Sequence, residues 1–124
     1  MNGITIKRLD DVAPYSGSSE IEGIRFRPVR SALGVTAWGM NVLELSPNCT
    51  GYPEHDHEED GQEEVYVILS GAVVLQANGE EVTLEAGDAA RVACNIKRKL
   101  VTRERPASIL AIGATPGKAF QVTM

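Results

Sequence analysis

Three turn signals recur at eight-residue spacing in the middle of the chain, Ser70-Gly71, Asn78-Gly79 and Ala86-Gly87-Asp88, and they leave room for little except strands. The segments beside them, 65–69, 72–77, 81–84 and 89–93, have strand length and fall short of the roughly ten to twelve residues of a stable helix. Asn-Gly between two β-prone runs is the strongest local hairpin signal, because a type I′ turn needs positive φ at both central residues. Further extended runs fall at 24–27, 38–45, 100–102 and 109–112, and no long stretch carries the i, i+3, i+4, i+7 apolar spacing of a capped helix. About nine short strands with regular turns predict an all-β sandwich or barrel. The glycines at 71, 79 and 87 share a spacing but not their flanks, so they mark no internal repeat.

The remaining segments are less regular. Residues 1–23 read as an N-terminal arm, in which Ile4 and Ile6 alternate with polar residues as in a short strand and 13–19 is loop chemistry. Such an arm either wraps the outside of the domain or exchanges with a partner subunit. Residues 24–27 alternate apolar and charged, and Pro28 ends that strand or places it at an edge. In 38–45 the alternation breaks between Val42 and Leu43, which predicts a bulge or burial of both faces. The proline- and glycine-bearing stretch 47–53 is a connection.

A chain of 124 residues is expected to form a single domain, with a core that needs no covalent staple. The net charge of −5 argues against nonspecific binding to nucleic acid, which depends on neutralising phosphates. No apolar run approaches the roughly 18 residues of a membrane span, and Lys7, Arg8, Asp10 and Asp11 stand where a signal peptide would be apolar. A cytoplasmic protein with no membrane partner is the expectation. Cys49 and Cys94 show no Cys-x-x-Cys pattern and are expected to be reduced. Acidic residues crowd 54–64 and basic ones 97–105, which is expected to leave the two groups facing different solvent or partly offsetting each other across neighbouring strands.

Both histidines of the chain lie in the acidic stretch. In an extended segment residues i and i+2 share a face, so His55 and His57 point the same way and can reach one cation. Glu58-Glu59-Asp60-Gly61 reads as a turn, since Gly61 has a permissive backbone and Asp60 can accept from nearby amides. Folding back there brings Glu64 toward the rings. Two imidazoles and a carboxylate with open positions suit a divalent iron, manganese, nickel or zinc ion. Spacing alone leaves a chance His-x-His on a solvated loop as the alternative.

These residues resemble the cupin family, whose fold is a double-stranded β-helix, or jelly-roll, barrel with a metal in its mouth. The likeness covers about 47–100. In the first cupin motif a His-x-His precedes a glutamate and then a glycine, matched here by His55, His57, Glu64 and Gly71. The opening of the second motif is matched by Gly79 and Gly87-Asp88. Two departures stand out: the interval from His57 to Glu64 is longer than usual, and the histidine that ends the second motif is replaced by Arg98. Arginine offers donors only and cannot ligate a metal.

The resemblance therefore implies one of two states. Either His55, His57 and Glu64 alone hold a metal while Arg98 faces a substrate anion, or no metal binds and Arg98 pairs with Glu64. Strand alternation from Glu64 turns Tyr66 and Ile68 inward, with Leu100 and Thr102 joining them if Arg98 is inward. Tyr66 is expected to pack or to donate to a ligand, Glu63 is a further candidate for moving protons, and Cys94 is a soft-metal ligand or a small buried hydrophobe. The implied function is a metal-dependent enzyme, of oxygenase or isomerase/decarboxylase type, acting on a small anionic metabolite, with Arg98 and Tyr66 as its catalytic candidates. The alternatives are a non-catalytic binding or sensor module and a barrel that has lost its metal. Exposed sheet edges lead to the expectation of a homodimer.

Overall fold

The structure is a computed structural model and describes residues 1–118. Its elements are β1 (Ile24–Arg27), α1 (Val29–Leu33), β2 (Gly39–Leu45), β3 (Glu63–Ala77), β4 (Glu80–Glu85), β5 (Ala89–Val92), β6 (Arg98–Val101) and β7 (Ala107–Ala114), preceded by a 3-10 turn at Leu9–Asp11. All strand pairs are antiparallel. The first sheet runs β1-β2-β7-β3-β5, and the second joins β4 and β6 to the C-terminal half of β3.

This arrangement corrects one expectation. Ser70-Gly71 is no turn: β3 is one strand of 15 residues that passes from the first sheet into the second. Its register with β7 shifts between Ile68 and Ser70, and Gly71 has φ +76° where its backbone runs against Pro106. A glycine at a strand bend carries the same local signal as a glycine in a hairpin, so the sequence pattern cannot separate them. Asn78-Gly79 is the expected hairpin, with φ of 55° and 72° joining β3 to β4.

Two further expectations change. Ile4 and Ile6 form no strand, so among the described residues seven strands replace the nine predicted. A helix is present, but α1 has only five residues, too few for periodicity to reveal. It starts beyond Pro28 and stops at Gly34, whose αL conformation lets its N–H reach the Arg30 and Ser31 carbonyls. The helix packs on β2, and Val29 and Val42 are both buried. That burial explains the broken alternation in β2, whose pairing with β1 and β7 is unbroken.

Register defines the barrel interior. Phe26 pairs with Leu43, Leu43 with Ile109 and Ile109 with Ile68, and this row shares a face with Tyr66 and Glu64. Side chains of the second sheet, Val73, Leu84 and Leu100, close the core from the other side. Burying such side chains contributes about 1.5–3 kcal/mol each. Thr102 is buried beside them, its hydroxyl donating to the Ser46 carbonyl and accepting from the Cys49 N–H. The arm is fastened to its own barrel: the Arg27 guanidinium donates to the Asp10 and Val12 carbonyls, and the Tyr15 N–H donates to the Phe26 carbonyl at 2.7 Å.

Candidate metal centre

Three segments converge at one end of this interior. Glu64 stands at the start of β3, on the inner face. His55 exchanges backbone hydrogen bonds with Arg98, the first residue of β6, and the His57 N–H donates to the Cys94 carbonyl. Between His57 and Glu64 the expected turn is present, closed by the Gly61 N–H on the His57 carbonyl and by Asp60 accepting from the Gln62 N–H. Gly61 has φ +69°, a conformation that glycine adopts without strain.

The result is a cluster of His55, His57 and Glu64 whose ligand atoms all lie within 4.8 Å of one another. The Nε2 atoms of His55 and His57 are 3.7 and 3.5 Å from Glu64 Oε1. The outer nitrogens determine the tautomers. His55 Nδ1 lies 3.1 Å from the Pro53 carbonyl, which only accepts, and His57 Nδ1 lies 3.2 Å from the Asp60 carboxylate. Both rings therefore carry hydrogen on Nδ1 and, when neutral, turn an Nε2 lone pair into the cluster, as metal-ligating histidines do. A hydrogen bond from the Gln62 N–H and the contact with His57 outweigh burial and hold the Asp60 carboxyl below its ordinary value.

Arg98 is inward, as the second-sheet register and its complete burial require. Its NH2 donates to Glu64 Oε1 at 2.8 Å, its Nε donates to the Tyr66 hydroxyl at 3.3 Å, and its NH1 donates to the Ile96 carbonyl. The Arg98–Glu64 pairing that formed part of the second expectation is present. Tyr66 packs in the core and also donates to Glu64 Oε1 at 2.9 Å. Burial alone would push the Glu64 carboxyl up, but His55, Arg98 and Tyr66 together hold it at about 2. The nearby Glu64 carboxylate in turn raises His55 above its ordinary value, against the effect of burial. Burial and the Glu64 charge push the Tyr66 hydroxyl to about 12.

Tyr52 was invisible in the sequence, lying in a stretch legible only as a connection. Its buried hydroxyl is 3.0 Å from that of Tyr66 and its ring centroid is 5.6 Å from that of His55. Because the Tyr66 hydrogen goes to Glu64, Tyr52 is the donor of the pair, and burial raises its hydroxyl far above the ordinary value. Glu63, by contrast, alternates to the other face of β3 and pairs with the exposed Arg91 guanidinium at 2.6 Å, outside the cluster. Cys94 is half-buried and contributes its carbonyl, not its thiol. Among the described residues the salt bridge that joins the acidic stretch to the basic one is Arg98 with Glu64, whereas Arg103 and Arg105 pair with Glu81 and Glu85 of β4.

The donor set fits a divalent cation: two imidazole lone pairs and an ionised carboxylate converge, and Arg98 bars a fourth protein ligand. The Cupin domain family matches residues 41–113, more than half of the chain. The chain belongs to the cupin family. Among solved structures, this cupin is similar to a sugar phosphate isomerase from a cupin superfamily of Silicibacter pomeroyi, with 27% identity, a TM-score of 0.77, and coverage of 90% of this chain and 77% of that one. It is also similar to a cupin protein of Bacteroides fragilis, with 28% identity, a TM-score of 0.64 and 92% of each chain covered. A predicted oxalate decarboxylase of Thermotoga maritima shares the fold, at 22% identity, a TM-score of 0.72, and coverage of 90% of this cupin and 99% of that chain. No curated protein matches the sequence significantly. Among the described residues no helix is long and apolar enough to cross a membrane.

Proposed function

We propose that this cupin is a metal-dependent enzyme that acts on a small anionic metabolite through His55, His57 and Glu64. The observation that carries this reading is the convergence of two Nε2 atoms on the Glu64 carboxylate, each ring held by an acceptor at its Nδ1. Iron, manganese, nickel or zinc would supply Lewis acidity or redox chemistry there. Arg98 keeps Glu64 ionised, and Tyr66, protonated and donating its one hydrogen to Glu64, helps to hold that carboxylate and would donate to a bound anion only on releasing it. The isomerase and decarboxylase among the structural neighbours are both named for small anionic substrates, in keeping with this reading. Metal analysis of protein purified without chelators tests it, followed by titration with each of the four metals. Protein that neither carries nor takes up a stoichiometric metal overturns it.

A specific observation favours a second reading, a non-catalytic binding module or a barrel that has lost its metal. Arg98 already neutralises Glu64 without an ion. His57→Ala separates the two: loss of a turnover supports the enzyme, whereas loss of ligand binding in a protein without turnover supports the module. We further propose a homodimer, because among the described residues β1 and β4 are edge strands, each paired on one side only, and a second copy would cover such an edge. Light scattering reads its mass against the 13.3 kDa of one chain.

A further inference from the structure

The inner face of the first sheet has two environments. Toward β3 it carries Glu64 and Tyr66, whereas toward β1 and β2 it opens into a chamber of ≈ 450 Å³. Its walls are Ile24, Phe26, Leu43 and Tyr52 together with Tyr15 and Ile21 from the arm. That volume lies within the roughly 300–1,000 Å³ of small-molecule sites. Tyr52 belongs to both environments, since it walls the chamber and its hydroxyl reaches Tyr66 at 3.0 Å. The arm wall is held in place by the Tyr15 N–H on the Phe26 carbonyl and by Ile21 lying against Gly51.

The chamber is poor in polar groups. The Tyr15 hydroxyl already accepts from the Ser19 N–H, and among the described lining residues none is Lys or Arg. The charged group present is Glu20, which disfavours any anionic group, phosphate or carboxylate, within the chamber itself. A sugar placed here would leave hydroxyls without partners, a cost that apolar walls do not offset.

We propose that the chamber holds the carbon body of an aromatic or branched aliphatic carboxylate, with its oxygens toward the His55, His57 and Glu64 end, and that it discriminates against sugar phosphates. The placement of the oxygens rests on the metal-centre reading; the apolar half does not. The probe is phenylacetate, compared with a hexose phosphate, on the full chain both metal-free and titrated with zinc. Saturation-transfer NMR and calorimetry follow binding to the wild type and to Ile21→Trp, which fills the chamber from the arm without altering a strand, with circular dichroism reporting the fold. Should Ile21→Trp misfold, Ile24→Trp is measured in its place.

The expected result is phenylacetate binding to metal-free protein, weakened about tenfold or more by Ile21→Trp while the zinc affinity is kept, and no competing hexose phosphate. Zinc is expected to tighten the phenylacetate complex of the wild type. Phenylacetate binding with no zinc uptake supports the chamber and sinks the metal centre, so the two failures are distinct. Absence of phenylacetate binding, equal affinity in the filled variant, or preferential binding of the hexose phosphate overturns the proposal.

Discussion

His55 and Arg98 face each other across an isolated antiparallel bridge and exchange backbone hydrogen bonds of 3.1 and 2.9 Å, so that a guanidinium is delivered beside a candidate ligand ring. Directly paired residues project to the same side of a sheet, which is why Arg98 arrives at Glu64. The barrel mouth thus holds a fixed internal cation where a further ligand would complete a metal cage. Such an arrangement lowers metal affinity through repulsion but keeps Glu64 ionised without metal.

Replacing that cation by a ligand is the most direct perturbation. In Arg98→His the guanidinium is gone and an imidazole takes its place, and the zinc affinity is expected to rise at least about tenfold. Calorimetric titration of both proteins with zinc measures it. An unchanged affinity shows that the position of Arg98 does not reach the ion.

Glu64→Gln removes the counter-charge of a fully buried guanidinium. Stability is expected to fall by about 3 kcal/mol, near the lower end for breaking a buried pair because Glu64 retains some solvent contact. Urea unfolding of metal-free protein reads this loss, and a change below about 1 kcal/mol, the size of an exposed pair, means that the pair is effectively solvated.

The metal-free protein is expected to be most stable between about pH 4.5 and 6.5, the ordinary values of the two groups that set the limits. Glu64 is depressed from 4.5 to about 2 on folding, so its contribution is complete above 4.5 and is lost as pH falls toward 2. His55 is raised above 6.5, so its contribution is complete below 6.5 and is lost as pH rises through the folded value. Zinc competes with the proton on His55, and its stabilising effect is expected to grow as pH rises. Thermal unfolding across pH, with and without zinc, checks both slopes.

Tyr66→Phe keeps the ring in the core but removes the hydroxyl that donates to Glu64 and accepts from Tyr52. The expected cost is about 1–3 kcal/mol, because the Tyr52 hydroxyl is left buried without its partner. Tyr52→Phe combined with Tyr66→Phe is expected to recover part of that loss, which a double-mutant cycle measures.

Gly71→Ala tests the bend in β3. With φ +76° and a Cβ directed into the Pro106 carbonyl, alanine must displace backbone, at an expected cost of about 2–4 kcal/mol. At Gly79, where a Cβ meets open space, the same change is expected to cost only about 1 kcal/mol for the positive φ. Comparing the two denaturation midpoints separates close approach from backbone conformation.

Much of this molecule was legible from local pattern. Strand positions, the Asn78-Gly79 hairpin and the grouping of His55, His57 and Glu64 follow from turn chemistry and period-two alternation, which act between residues a few positions apart. The count from Gly87-Asp88 to Arg98 also found the inward cation, because an intact strand register preserves which face a side chain takes. Ser70-Gly71 misled because a bend within a strand and a turn between strands ask the same freedom of glycine.

The sequence by itself determined an all-β fold, sandwich or barrel, with two histidines and a glutamate able to meet, since alternation and turn residues are properties of neighbours along the chain. The resemblance to cupins chose the barrel. Only the tertiary structure decided that Arg98 binds Glu64 across 34 positions, that Tyr52 joins Tyr66, and that α1 buries the outer face of β2. Those relations depend on how separate strands and loops are brought together, and a contact between distant segments forms only when closure of the barrel compensates the entropy of ordering the chain between them.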